Sequence, residues 1–423
     1  MKRGLVWFTE DLRVDDNETL LKAIEENDEI VPVFFLKSFA DQPQFSIPRR
    51  GLAREKFIRD SLLNLKKKFN ERGGTLLVVD GVPHAELPRL CVEYQIRKVY
   101  TKKQVGSEEK MLQTEIKQQL LKLGVDFQTY STSTLYHPDD LPFSVRDIPM
   151  LFTKFRKLAE KESKVRAPFD APQRIVTPQL EVLPLEVEEC STPEWMNGGE
   201  DAALERLNEF VWETQSIRTY KATRDQLNGL NFSSKLSAWL SQGCISPRRI
   251  YSEIKRYERE IVSNESTYWV IFELLWRDFF RFSFKKHPKA YFLLNGLGQQ
   301  ALYTQFDPSK FDAWTQGKTS EALINAGMNE LRETGFVSNR MRQILASYWV
   351  FGMQQDWRYG AAWFEHCLVD YDVASNWGNW AYIAGVGNDN RGGREFNIEK
   401  QAQLFDKDGA YREKWINAET DNR

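Results

Sequence analysis

The first 130 residues alternate between short β-branched or aromatic runs and longer stretches with apolar residues at helical spacing. The runs are GLVWF, IVPVFFL, TLLVVD, RKVYT and DFQTY. Strands separated by helix-length segments pair as a parallel sheet with helical crossovers, because a direct hairpin return is unavailable to them. The stretch from Gly51 to Arg72 closes on Gly73 and Gly74, the usual ending of a helix. An α/β domain with a doubly wound parallel sheet is therefore expected over 1–130. After its first run stand Thr9, Glu10 and Asp11, with no GxGxxG, so a Rossmann-type dinucleotide site is not expected.

The pattern changes twice more. Residues 131–200 are rich in Pro, Ser, Thr and Glu with weak periodicity (HPDDLPFS, LEVLPLEVEECSTPEW) and read as an interdomain connector with short helical pieces. From 201 to 423 the spacing is helical almost throughout, with starts such as Ser246-Pro247, predicting an all-α C-terminal domain. A length of 423 residues suits such a division. Of thirteen tryptophans only Trp7 precedes residue 195. Large rings in helices first of all fill a core; ring stacking or electron transport is the alternative.

Several chemistries are excluded early. No run of apolar residues is long enough to span a bilayer, and the N-terminus meets charge before an apolar signal segment forms, so a cytoplasmic protein without membrane contact is expected. Cys91, Cys190, Cys244 and Cys367 lie far apart, which fits reduced thiols. His84, His137, His287 and His366 show no ligand spacing, so no metal is expected. The GKTS at 317–320 lacks the earlier glycine of a P-loop, Asp312 standing there. With 58 Lys+Arg against 60 Asp+Glu, any nucleic-acid affinity must come from a local patch.

Two distant clusters carry candidate chemistry. Tyr220 to Asp225, followed by Asn231 to Ser237, places hydroxyls at a helix entrance, where they suit a diphosphate; taken alone, ordinary N-capping explains them equally well. Far along the chain, Asn339, Arg340 and Arg342 precede Asp370, Asp372, Asn376, Trp377 and Trp380. An arginine and two aspartates on a helical hairpin can form a buried, paired polar site around a planar heterocycle.

At this point the chain resembles the cryptochrome/photolyase family over nearly its full length, and within it the DASH cryptochromes. The carrying motifs are LVWF with DLR and DN, LLWRDFFRF at 274–282, AWTQGKT at 313–319, TGFVSNRMRQ at 334–343, DWRYGAAWFE at 356–365 and DYDVASNWGNWAYIAGVGND at 370–389. The resemblance implies an FAD-binding helical domain. It assigns Tyr220 and Ser233, Ser234, Lys235, Leu236 and Ser237 to the FAD phosphates, and Asn339, Arg342, Asp370 and Asp372 to the ring and sugar, with Arg342 paired to Asp370. Asn376 would face flavin N5. Trp380 and Trp357 would be the inner and middle members of an electron relay, whose usual outer tryptophan is replaced here by Thr304, beside Tyr303, leaving Trp377 or Tyr382 as other exits.

The same resemblance implies a pocket for a flipped pyrimidine dimer built from Glu273, Trp276, Arg277 and Asn339, with Gln343 and Tyr382 where duplex-specific relatives carry Met and Trp. Those polar exchanges favour single-stranded or looped DNA, where unpairing is already done; RNA is a second nucleic-acid partner, and a monomer is expected. Nine cations against three acids between 218 and 259, and the row Arg277, Arg281, Lys285 spaced by four, suggest a DNA face that also includes Arg340; a solvated helix surface is the competing reading. A methenyltetrahydrofolate antenna would sit between the domains with help from Glu108 or Glu109, although Thr9 replaces the arginine usual after the first strand, and Ser107 with its acids also reads as a helix start. The leading expectation is a deoxyribodipyrimidine photolyase-like lyase driven by blue or near-UV light; the alternatives are a blue-light photoreceptor and a nucleic-acid-binding flavoprotein without repair.

Overall fold

A computed structural model describes all residues except 38–41, 182–183, 186–189, 191, 299, 390–391 and 418–423. Among the described residues the five expected strands form: β1 Arg3–Phe8, β2 Glu29–Phe35, β3 Leu77–Val79, β4 Lys98–Lys102 and β5 Asp126–Tyr130. They lie in one sheet in the order β3-β2-β1-β4-β5, every pair parallel. Helices Glu18–Glu26, Leu52–Asn70, Pro83–Glu93 and Ser107–Lys122 make the crossovers. Leu5, Val6, Trp7 and Phe8 in the central strand are buried, because helices cover both faces. The connections from β1 lead to β2 on one side and the chain later returns to β4 on the other, which opens a crevice at the carboxyl ends of β1 and β4.

From 131 to 199 the described chain holds short turns and the helix Phe152–Glu162, whose Phe152 and Phe155 pack on Phe279 of a later helix. From Glu200 onward the secondary structure is helical. The organising element is the helix Glu265–Lys286, started by a capping box in which the Asn264 side chain accepts from the Ser266 and Thr267 amides. Its buried positions run round the whole cylinder, so it lies in the middle of the helical half.

The segment DLRVDDN after β1 is a structural clamp. Arg13 is buried and donates to the carbonyls of Gly243, Asp15, Asp16 and Thr132. Arg248 grips Asp16 with two bonds of 3.0 and 2.6 Å, and Arg249 grips Asp15 with bonds of 2.7 and 2.6 Å. Glu200 accepts from the Val14 and Asp15 amides. Two arginines expected on a nucleic-acid face thus hold the α/β and helical halves together, because buried carboxylates across the interface claim them.

Candidate functional site

Three helices each turn one face toward a cleft of about 450 Å³. On Glu265–Lys286, Glu273, Trp276, Arg277 and Phe280 recur at three- and four-residue steps. On Asn339–Ser347, capped by Ser338, the same spacing presents Asn339, Arg342 and Gln343. On Val373–Ile383, capped by Asp372, it presents Ser375, Asn376, Trp380 and Ile383. Tyr220 and the run Ser233 to Ser237 close one end, and Tyr382 stands on the rim. One cavity therefore gathers Tyr220, Ser233, Ser234, Lys235, Leu236, Ser237, Glu273, Trp276, Asn339, Arg342, Gln343, Asp370, Asp372, Asn376, Trp380 and Tyr382.

The hydroxyl loop differs from expectation in its physics. The helix that follows it, Ser237–Ser241, is only five residues long, so little helix dipole acts there. Instead Arg206, which the sequence reading missed, donates to the carbonyls of Ser233 and Ser234 at 3.1 and 3.0 Å and to Asn231 Oδ1 at 2.9 Å. Tying the carbonyls back leaves the serine side chains on the cavity. Lys235 sits at φ +58° with its ammonium 3.8 Å from the Phe232 ring centre and 4.7 Å from that of Phe336. Burial pushes its pKa down to about 7.

Deeper in, Arg342 Nη2 lies 2.8 Å from Asp370 Oδ2, the expected pair, while Asp370 Oδ1 is buried with no hydrogen-bond partner. Asp372 Oδ1 accepts from the Ser375 amide and hydroxyl, and its other oxygen is paired with Arg281. Burial would raise this carboxyl, but Arg281 and Arg277 outweigh it and hold the pKa at about 2. Asn376 donates through Nδ2 to the Ala361 carbonyl at 2.9 Å. A carbonyl can only accept, so the amide orientation is fixed and its oxygen is left for the cavity. An acceptor at that depth suits an N–H of a ring, and the unpartnered Asp370 oxygen suits a further donor; the residues present fit a reduced isoalloxazine with its sugar.

Toward the mouth, Phe152 stacks on Trp276 at 3.7 Å and 14°, fixing one face of the indole, and Tyr382 meets it edge-on at 6.1 Å. Glu273 pairs with Arg224 at 2.8 Å; burial raises its pKa against that charge. Tyr382 Oη accepts from Arg394 at 2.8 Å, and Arg394 also binds Asp389. Phe152 and Arg394 escaped the sequence reading because Phe152 opens a short helix inside the stretch read as a connector and Arg394 stands in a segment without helical spacing, and only the fold sets them beside Trp276 and Tyr382.

Other expected residues lie elsewhere. Trp380 lines the cavity, while Trp357 is buried behind it, in the helix Trp357–Cys367, with Nε1 donating to the Leu294 carbonyl at 3.0 Å. Gly360, one turn after Trp357, packs so closely on the Trp380 ring that a Cβ there would lie 2.3 Å from it. Thr304 is exposed, and its neighbour Gln305 accepts from the Asp356 amide, which puts the interrupted relay position beside Trp357. Arg277 and Arg281 do not make an exposed basic face, although Arg277 lines the cleft. Arg277 donates to the Ser133 and Leu240 carbonyls, and Arg281 is buried against Asp372. A four-residue repeat puts side chains in one row, but on a central helix that row points inward. Arg340 reaches the surface near the rim with its charge engaged by Asp225 at 2.9 Å.

A second cavity, of about 170 Å³, occupies the crevice at the ends of β1 and β4 and meets the helical half at Arg281, Tyr371 and Asp372. Glu109 lines it, whereas Glu108 is exposed and paired with Arg49. Burial raises the Glu109 carboxyl to about 7. Arg54 lines it too, with one guanidinium nitrogen buried and unpartnered. Ser241, Tyr371 and Asp372 border both cavities. Among the described residues no group of acidic, histidine or cysteine side chains is arranged to hold a metal, and no helix is long and apolar enough to cross a membrane.

Comparison with known proteins places this geometry. Residues 4–173 match the model of the DNA photolyase family and residues 269–421 that of the FAD-binding domain of DNA photolyase. A relative from Synechocystis sp., named cryptochrome DASH, is 42% identical over 428 aligned residues, covering 97% of this chain and 87% of its own. The crystal structure of a Synechocystis cryptochrome superposes with a TM-score of 0.93 at 41% identity, covering 98% of this chain and 88% of the other. A class III photolyase from Agrobacterium tumefaciens gives a TM-score of 0.84 at 28% identity, covering 98% and 86%.

Proposed function

The chain belongs to the photolyase/cryptochrome family, and from that premise we propose that it is a light-driven lyase that splits cyclobutane pyrimidine dimers, preferentially in single-stranded DNA. The observation that carries the reading is a single cleft with Asn376 and Trp380 at its depth and Glu273, Trp276 and Tyr382 at its mouth. Reduced FAD, when bound there and excited by blue or near-UV light, supplies the electron that opens the cyclobutane ring. Around it, the Ser233–Ser237 loop and Tyr220 hold the phosphates, and Arg342 with Asp370 fixes the ring edge. The Asn376 oxygen accepts a proton-bearing nitrogen without adding charge.

At the mouth, Trp276 offers a ring whose orientation Phe152 has set, so a base entering the cleft stacks without ordering the platform first. Glu273 is held by Arg224 where it can meet the polar edge of that base. Gln343 accepts from Arg340 and Tyr382 from Arg394, so both rim side chains are polar and engaged. Such a rim grips a flipped base weakly, which supports single-stranded DNA, and RNA as a second partner, over intact duplex. Trp380 and Trp357 serve as the inner steps of photoreduction. The cavity at the ends of β1 and β4, with Glu109 on its wall, is the site for a methenyltetrahydrofolate antenna. The buried thiols of Cys91, Cys244 and Cys367, outside any disulfide, accord with work of the protein in a reducing compartment such as the cytosol, and we read it as a monomer.

The test is illumination of chemically reduced, FAD-loaded protein with a single-stranded oligonucleotide carrying one thymine dimer. Restoration of intact thymines under blue light, faster than on the matching duplex, is the expected result. Binding without dimer loss, or a light-dependent change of partner or oligomer without repair, would replace this reading with that of a sensor.

A further inference from the structure

The inner relay residues are present, but the position beside Trp357 through which an electron would leave holds exposed Thr304, which has no oxidisable ring. The indole that the structure does put next to Trp357 is Trp377, edge-on at 5.9 Å and fully buried. Trp377 Nε1 makes a polar contact: it donates to Glu365 Oε2 at 3.1 Å and to the Tyr371 hydroxyl at 3.3 Å. The one indole N–H thus brings the Glu365 carboxyl and the Tyr371 hydroxyl together; the Tyr371 ring lies under the Arg54 guanidinium at 4.7 Å and borders the cavity at the ends of β1 and β4. A phenol loses an electron readily only if its proton leaves at the same time, and the Glu365 carboxyl, which shares the Trp377 N–H with the phenolic oxygen, is the group placed to take it.

We propose that Tyr371, losing its proton to Glu365, is the terminal internal electron donor to the photoexcited flavin, reached from Trp380 through Trp357 and Trp377. The inference rests on the reading of the helical cavity as a flavin site with Trp380 as its first donor. Light-excited oxidised flavin is the oxidant and gains one electron. The hole passes to Trp377, one electron leaves Tyr371 to fill it, and the phenolic proton bonds to a Glu365 oxygen. A neutral Tyr371 phenoxyl radical and a Glu365 carboxylic acid remain. A thiol reductant reaching the adjoining cavity, when no antenna fills it, resets the pair by giving one electron and leaves as a thiyl radical with its own proton released to water, while the proton held by Glu365 returns to the phenolic oxygen. Burial makes Glu365 a stronger base than an exposed carboxylate, and Arg54 and Arg49 keep it in reach of its charged form.

The experiment is electron paramagnetic resonance on FAD-loaded protein frozen under blue illumination without added reductant. Parent protein, grown with ring-deuterated tyrosine in one sample and ordinary tyrosine in the other, should show a tyrosyl signal that narrows on deuteration. Tyr371→Phe should abolish that signal and lower the photoreduction yield several-fold. Glu365→Gln, which keeps a hydrogen-bonding side chain but no base, should replace it with a tryptophanyl signal. Tyr303→Phe, which removes the phenol beside Thr304, should leave it unchanged. Flavin content and circular dichroism establish that each variant is folded and loaded, and Glu365→Gln carries the test should Tyr371→Phe fail to fold. A tyrosyl signal surviving in Tyr371→Phe, or in Trp377→Phe, overturns the proposal while the flavin reading stands. Loaded parent protein that shows no light-driven flavin reduction, or reduction insensitive to Trp380→Phe, overturns both.

Discussion

On the proposed reading, substrate recognition turns on Trp276. Removing its ring by Trp276→Ala should weaken binding of dimer-containing single strands by about 1–3 kcal/mol, the usual worth of one base stacked on an aromatic side chain. Flavin content should be unchanged, because Trp276 lies at the mouth and the phosphate loop is held by Arg206; fluorescence titration with oligonucleotide checks the first and absorbance the second. Asp372 gives a pH-dependent expectation. Its carboxyl is held at about 2 against an ordinary 3.8, so its contribution to stability is complete above about pH 4 and disappears as pH falls through about 2. Urea unfolding of the flavin-free protein between those limits should show a steeper loss in the parent than in Asp372→Asn. Many of these residues were legible as letters: the Asn376 and Trp380 spacing and the Arg342–Asp370 pair stand in recognisable motifs. The amide orientation of Asn376 was not, because it is decided by Ala361, fifteen residues away.

At the scale of elements, the helix Trp357–Cys367 fits against Val373–Ile383 because residue 360 is a glycine. A Cβ there would lie 2.3 Å from the Trp380 ring and 2.9 Å from that of Trp349. Helix propensity favours alanine by roughly 1 kcal/mol, yet overpacking a tight core typically costs about 1–3 kcal/mol. Gly360→Ala is therefore expected to lower stability slightly and to slow photoreduction by shifting Trp380, measured by thermal unfolding and by flavin bleaching under blue light. Strands and crossovers were readable because their period is local: five runs became β1 to β5, and the stretch predicted to end at Gly73 is the helix Leu52–Asn70, with Gly73 at φ +87°. Period also misled. It aligned Arg277, Arg281 and Lys285 correctly on one side of Glu265–Lys286, but carries no information about which side meets water. The neighbours that bury that face, Leu240 and Asp372 among them, arrive from other parts of the chain.

For the whole molecule, the arginine clamp makes the two halves one mechanical unit, with a hydrophobic core running from Val6 in β1 to Phe282 of the long helix. Arg248 contacts Asp16 across 232 residues, a pairing that composition could only register as surplus positive charge. Arg248→Ala leaves the buried Asp16 uncompensated and should cost about 3–5 kcal/mol, seen as a fall in the unfolding midpoint in urea. The clamp also holds the crevice cavity against the helical cavity, with Tyr371 and Asp372 in their shared wall, so that a pigment bound in one, as proposed, would lie close to a flavin bound in the other. That arrangement has a purpose only if the helical half carries the flavin. The direct measurement is an absorbance titration of purified, denaturant-stripped and refolded chain with FAD. Saturation at one flavin per chain, with a shifted near-UV and blue band pair that Asp370→Ala weakens, is the expected result; a refolded chain that stays colourless after gel filtration would contradict the account.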